Sequence, residues 1–384
     1  HLPPMLGYLA VGIVIGPHAL GLAAENEASH TLAEFGVVFL MFSIGLEFSL
    51  PKFLAMRRIV FGLGMAQVVT TIIATVVFGW FVGRYLSAYI HLSWQAAFAL
   101  GGALAMSSTA IVSKMLTERL ELESEHGRKI IGILLFQDLA VVPLLILIPA
   151  LTRDSDNLAE TLAWAGGKAL VVLILLLFIG QKMVRGWLTI VAKRRSQELF
   201  MLNLLLITLG AAWITERAGL SLALGAFVAG MLISETEFKH QVEEDIKPFR
   251  DVLLGLFFIT VGMLLNIRVV LDNWWLVLLL LCGPVLLKFA LIAGLARLFG
   301  SSTGVSLRTG LALAQAGEFG FVLLNLAGGI KLMDPFVVQV VLAAMVLSML
   351  VAPFLIAKSD AIVMKLAAND WMMQSLALTK IATR

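Results

Sequence analysis

The 384-residue sequence is poor in charge: Lys, Arg, Asp and Glu together make 14% of it, and it holds one cysteine and three tyrosines. With Cys282 alone, there is no disulfide framework and no cysteine metal site. The histidines at His18, His30 and His91 show no metal-ligand spacing. No P-loop, zinc pattern, Ser-His-Asp pattern or dinucleotide-binding glycine fingerprint occurs, which disfavours an ATP-driven pump and the common enzyme chemistries. The net charge of +3 needs no nucleic acid to explain it, because Lys and Arg gather in the cytoplasmic loops of membrane proteins.

What the chain has is apolar length. It is 60% hydrophobic with a mean hydropathy of +0.97, where a soluble domain is nearer half apolar and a quarter charged. Hydropathy, punctuated by Gly, Pro and charge, predicts twelve membrane-spanning helices in an all-α polytopic protein. The first is expected over Leu2–Leu22, the fourth over Ser93–Leu116, the fifth over Ile130–Leu151 and the eighth over Leu220–Ser234. The ninth, tenth, eleventh and twelfth follow at Val252–Ile267, Asn273–Phe299, Ser306–Ala327 and Phe336–Ala357. Under strict alternation, 21 of the 28 Lys and Arg fall on one side, which predicts a cytoplasmic C-terminus.

A repeat lies within the hydropathy. Leu6–Gly16 (LGYLAVGIVIG) matches Leu224–Ser234 (LGAFVAGMLIS), placing Gly7 and Gly12 each 218 residues before Gly225 and Gly230. Next in order, Leu40–Leu46 (LMFSIGL) echoes Phe257–Met263 (FFITVGM), pairing Gly45 with Gly262. Seven spans separate the paired elements, so the copies enter the membrane from opposite sides, as in many secondary transporters. The predicted organisation is a first inverted repeat over 1–151, a linker helix and cytoplasmic loop over 152–197, a second repeat over 198–358 and a cytoplasmic tail over 359–384. The seventh span has no counterpart ahead of the first copy, so a helix preceding His1 is expected.

The fourth span contains Gly101-Gly102 and then Met106-Ser107-Ser108-Thr109-Ala110; the eleventh contains Gly310 and Ala314-Gln315-Ala316-Gly317-Glu318. Small and hydroxylated residues at mid-membrane let a helix unwind and offer backbone carbonyls and half-helix ends to an ion. Ser and Thr back-bonded inside intact helices would explain either span alone. Their coincidence in equivalent elements favours two discontinuous helices.

Asp138 stands in the middle of the apolar fifth span, where a carboxylate costs on the order of 3 kcal/mol even on lenient insertion scales. A bound cation, a proton or a basic partner must offset that cost. Gln137, next to it on the helix, points about 100° away and either lines a cavity or ties helices together. Lys288, inside the tenth span, calls for a buried partner. Glu318 sits on the second break, where capping a half-helix, balancing Lys288 and joining in transport are all open to it. Gln67 and Asn203 read as interhelical hydrogen bonders.

Taken together, LGYLAVGIVIGP, LMFSIGLE, MSSTAIV, LLFQDLAVVPL, LGLFFITVGM and AQAGEFGFV resemble the Kef-type branch of the monovalent cation:proton antiporter-2 superfamily, from Leu6 to about Ala357. Phe136-Gln137-Asp138 looks like Kef proteins rather than the Asp-Asp pair of electrogenic sodium/proton antiporters. The resemblance implies a sodium/proton antiporter-like fold in a homodimer, with two crossing discontinuous helices in its core. It implies Asp138 as the site that binds H⁺ and K⁺ or Na⁺ in turn, with Gln137, Ser107, Ser108 and Thr109 around it. Lys288 and Glu318 would balance charge in the broken-helix core. His240, Glu243 and Asp245 resemble the acidic regulatory loop, although an amphipathic interfacial connector would read the same. No cofactor is expected in this chain; a C-terminal nucleotide-binding regulatory domain or an ancillary subunit would lie outside it. The implied activity is electroneutral K⁺/H⁺ antiport by alternating access, in the lipid of a bacterial inner membrane. A gated potassium efflux channel and a sodium-coupled organic solute symporter are the rival readings.

Overall fold

The computed structural model describes residues 4–23, 27–47, 55–85, 92–152, 158–218 and 222–366. Among them every regular element is a helix. In the first half these are α1 (Pro4–Ile15), α2 (Glu27–Glu47), α3 (Met65–Tyr85, entered through a π-helical turn Ile59–Gly64), α4 (Trp94–Ala105), α5 (Thr109–Glu118) and α6 (Glu125–Ala150). A connecting pair follows, α7 (Leu158–Leu175) and α8 (Gln181–Ala192), joined by a second π-helical turn, Leu176–Gly180. The second half holds α9 (Gln197–Arg217), α10 (Leu222–Ser234), α11 (Lys239–Leu264), α12 (Ile267–Asp272), α13 (Trp274–Leu298), α14 (Thr303–Leu313), α15 (Glu318–Gly329) and α16 (Pro335–Ala357).

Local chemistry starts these helices where the sequence allows it. The hydroxyls of Ser93, Ser124, Ser196 and Ser302 accept from the free backbone N–H groups that open α4, α6, α9 and α14. Asp334 caps α16, with Pro335 at the first helical position, where its missing N–H costs nothing.

Each of the twelve expected segments overlaps helix among the described residues, and the two largest boundary corrections fall on the first and the ninth. The first ends at Ile15 rather than Leu22, because Gly16-Pro17 breaks it and the chain turns back through Gly21, whose φ is +65°. The ninth begins at Lys239 rather than Val252, so the acidic segment expected as a loop is the amphipathic opening of α11, with Val242 and Ile246 buried one turn apart.

Among the described residues, five helices are long and apolar enough to cross a membrane, and α14 with α15, bent by 48°, make a sixth span. Other segments fall short for visible reasons. The fourth is interrupted between α4 and α5, α11 carries Lys247, Arg250 and Asp251 ahead of its apolar end, and α10 has only 13 residues. Exposed faces carry Val77 and Trp80 on α3, Leu202 and Leu206 on α9, and Leu279 and Leu286 on α13, an apolar surface suited to lipid.

The matched glycines lie where helices cross. A Cβ on Gly12 would strike the Ile259 backbone of α11, and one on Gly262 the Leu9 carbonyl of α1. In the same way Gly45 of α2 meets the Phe227 carbonyl of α10, and Gly230 meets the Phe42 carbonyl. Exchanging the two sequence copies turns the α1–α11 crossing into the α10–α2 crossing, the contact symmetry an internal repeat requires. These four helices, with α9 against α10, form one panel. The remaining body is α3–α6 with α13–α16, which touches the panel where α16 meets α1 and α6 meets α10.

Candidate functional site

Two chain breaks cross inside the second body. After α4 the backbone turns extended at Met106 (ψ 143°) and resumes as α5, whose start is capped by Ser108 Oγ accepting from the Ile111 N–H at 3.2 Å. After α14 the chain runs through Ala314–Gly317 and resumes as α15. Gly317 lies on the backbone of Ser107 and Ser108, so closely that a Cβ there would overlap both. Only glycine lets the breaks come this near. Gly320, one turn later, likewise lies on the Ala103 carbonyl of α4.

Hydrogen bonds tie the breaks to each other. Ser107 Oγ donates to the Leu313 carbonyl at 2.8 Å. Lys288 reaches in from α13, buried to 3% exposure, and its Nζ donates to the Met106 carbonyl at 2.7 Å and the Gln315 carbonyl at 3.0 Å. Those carbonyls belong to the C-terminal ends of α4 and α14, where helix dipoles place partial negative charge. One ammonium thus satisfies both orphaned ends, and the backbone itself supplies the buried partner that the sequence demands for Lys288. Ser348 of α16 accepts from the Ala316 N–H at 3.0 Å and holds the second break from behind.

Gln137 makes the matching connection on the α6 side. Its Oε1 accepts from the Ser107 N–H at 2.7 Å, and its Nε2 donates to Gln67 Oε1 at 2.8 Å and to Ser107 Oγ at 3.3 Å. Gln67, from α3, donates in turn to Thr71 Oγ1 and to the Ala105 carbonyl. Of the two roles open to Gln137, this geometry is the tie between helices.

Asp138 faces elsewhere, as the 100° step along the helix requires. It is half-buried, and Thr109 Oγ1, at the first position of α5, donates to its Oδ1 at a long 3.5 Å. Glu318 is the first residue of α15 and is buried. Each acid therefore stands by the N-terminus of a half-helix, where the dipole favours negative charge. Dipoles and side chains alternate in sign around the crossing.

The structure thus brings Asp138, Gln137, Ser107, Ser108, Thr109, Lys288 and Glu318 to one crossing. The residues resembling a regulatory loop lie apart from it, in the opening turns of α11: His240 is exposed, and Asp245 accepts from Gln197 Nε2 at 3.1 Å. Asn203 forms the interhelical bond expected of it, accepting from Trp187 Nε1 at 2.7 Å. Ser348 escapes sequence reading, because a single hydroxyl in an apolar helix carries no pattern; Gln315 is legible only as part of the second break. Among the described residues no cluster of His, Cys, Asp and Glu could hold a multivalent metal.

At the ends of the same body, Arg119 joins the loop after α5 to the segment after α16. It donates to the Ile356 and Ala357 carbonyls and pairs with Glu121 at 3.0 Å and Asp360 at 2.7 Å; Asp360 also pairs with Arg308 at 2.8 Å.

The fold is similar to that of the sodium proton antiporter MjNhaP1 from Methanocaldococcus jannaschii, with a TM-score of 0.63 at 16% identity over 94% of this chain and 91% of that one. In sequence, the chain is 42% identical over 96% of its length to K(+) efflux antiporters 1 and 2, chloroplastic, of Arabidopsis thaliana. It spans 31% of the length of those two relatives. The model of the sodium/hydrogen exchanger transmembrane family matches residues 1–358. The chain is a multi-pass membrane protein that belongs to the sodium/hydrogen exchanger family, a family of transporters.

Proposed function

We propose that this chain exchanges K⁺ for H⁺, with the Asp138 carboxylate taking each ion in turn. The observation that carries the reading is the placement of Asp138: a half-buried carboxylate at mid-helix, beside the N-terminus of a half-helix and the crossing of two broken ones. An acid that both ions must share cannot hold them together, so release of one is coupled to capture of the other. One monovalent cation for one proton leaves the exchange electroneutral. The plant relatives named K(+) efflux antiporters support K⁺ over Na⁺.

On the same reading the chain works as a homodimer in a bacterial-type inner membrane, with its C-terminal end in the cytoplasm. The 1–151 and 198–358 repeats, joined by 152–197 and followed by the 359–384 tail, then carry the site across by rocking of one body against the other. In proteoliposomes loaded with a pH-sensitive dye, a K⁺ gradient is expected to drive proton flux, and Asp138→Asn to abolish it. Full exchange by Asp138→Asn rejects the assignment. Conductance without proton counterflow would instead identify a channel.

A further inference from the structure

One buried amide at the crossing is left over. Gln67 and Gln137 have both ends of their amides bonded. Gln315 is as deeply buried, at 1% exposure, yet among the described residues neither its Oε1 nor its Nε2 has a hydrogen-bond partner. Its backbone is held on both sides, by Lys288 on its own carbonyl and Ser348 on the next N–H. The side chain therefore cannot reach a partner by a backbone shift that leaves those bonds intact. Leaving a buried polar group unmade costs stability that an apolar side chain of similar size would avoid. A group from outside the described residues would supply the bonds this amide lacks.

Its chemistry says what. An amide oxygen is a hard, neutral ligand of the kind that replaces the water shell of a monovalent cation, and the NH₂ can hold one of the waters the ion retains. Asp138 and Thr109 together offer too few oxygens to coordinate K⁺ alone, and the other two amide oxygens are committed. The Gln315 backbone carbonyl is already taken by Lys288, so the side-chain amide is the polar group this residue has left to offer.

We propose that Gln315 is a neutral ligand for the transported monovalent cation, and that it sets the preference between K⁺ and Na⁺. The identity of the cargo rests on the antiport reading above; the ligand role adds contact between the ion and the second broken helix. Ion binding then draws on both halves of the repeat.

Potassium binding to the purified full chain tests this, read as thermal stabilisation during titration with K⁺ or Na⁺ at constant ionic strength. Gln315→Met, close in volume, is expected to weaken apparent K⁺ affinity about tenfold, the loss of about 1.4 kcal/mol, and to shift the K⁺/Na⁺ ratio. Gln315→Glu, which keeps an oxygen and adds charge, is expected to bind K⁺ at least as tightly as the native chain. Wild-type affinity and ion ratio in Gln315→Met overturn the proposal. Should that variant fail to fold, loss of K⁺ binding in Gln315→Glu overturns it. Exchange in liposomes separates the two claims: a native chain that binds K⁺ without exchanging it sinks antiport and leaves the ligand role standing. A native chain that binds neither ion sinks both.

Discussion

Gly317→Ala is the most direct probe of the crossing. The new Cβ would overlap the Ser107 carbonyl and lie 2.7 Å from the Ser108 nitrogen, where ordinary contact begins at 3.4 Å. These are backbone atoms, so no rotamer change relieves them. Relief requires the two breaks to part by the shortfall of the closest of these contacts, that to the Ser107 carbonyl carbon, or about 1.1 Å. Lys288 bridges the same two segments with bonds of 2.7 and 3.0 Å, and that separation carries one of them past hydrogen-bonding distance. Overpacking costs about 1–3 kcal/mol and a lost charge-assisted bond about 1.5–3 kcal/mol. The expected total of roughly 3–5 kcal/mol corresponds to a fall in melting temperature of about 5 °C for a chain of this size. The assay is thermal unfolding in detergent beside transport in liposomes, with Gly329→Ala as control, since nothing lies within 4 Å of a Cβ there. A Gly317→Ala protein that melts and transports like the native chain would refute the close crossing.

Other outcomes follow from the same contacts. Lys288→Leu orphans the Met106 and Gln315 carbonyls and is expected to cost about 2–5 kcal/mol, measured as loss of thermal stability. Gln137→Leu strands the Ser107 N–H and Gln67 Oε1, at a similar cost; combined with Gln67→Leu, the double variant should lose clearly less than the sum of the singles in unfolding assays. At the body's end, burial works against ionisation of Asp360, but the Arg119 hydrogen bond and the charges of Arg308 and Arg119 outweigh it and hold the carboxyl below its ordinary range. A depressed carboxylate stabilises the fold above its unfolded value near 4 and loses that contribution as the pH falls through the folded value. Asp360→Asn should therefore cost at most about 1 kcal/mol at pH 7, because the pair is exposed, and the difference from the native chain should shrink as the pH falls below the ordinary carboxylate range and vanish only below the depressed folded value, in pH-resolved unfolding.

Much of this arrangement is legible in the sequence. Glycine spacing announces the paired crossings, since backbones can touch only where side chains are absent, and the hydroxyl-rich Ser107-Ser108-Thr109 marks a break because those side chains cap helices as readily as they continue them. Asp138 stands out because an acid in an apolar run demands a reason. Other features hide for physical causes. Leu20 and Leu22 extend the hydropathy of the first span past Gly16-Pro17, where the backbone turns regardless. Pro248 and the flanking charges make the start of α11 look like loop, although Val242 and Ile246 already carry the helical period. Ser348 becomes significant only in the fold, and only there is it plain that Gln67 has partners and the Gln315 amide has none.

The glycine contacts between α1 and α11, and between α2 and α10, also restrict motion. Each works as a key in a slot: sliding α1 by one residue would drive Val11 or Ile13 into the Ile259 carbonyl that Gly12 now accommodates. Such joints have no slack, so under the rocking proposed above these four rods would travel as one plate, and displacement would fall to the sparser seams along α6 and α16.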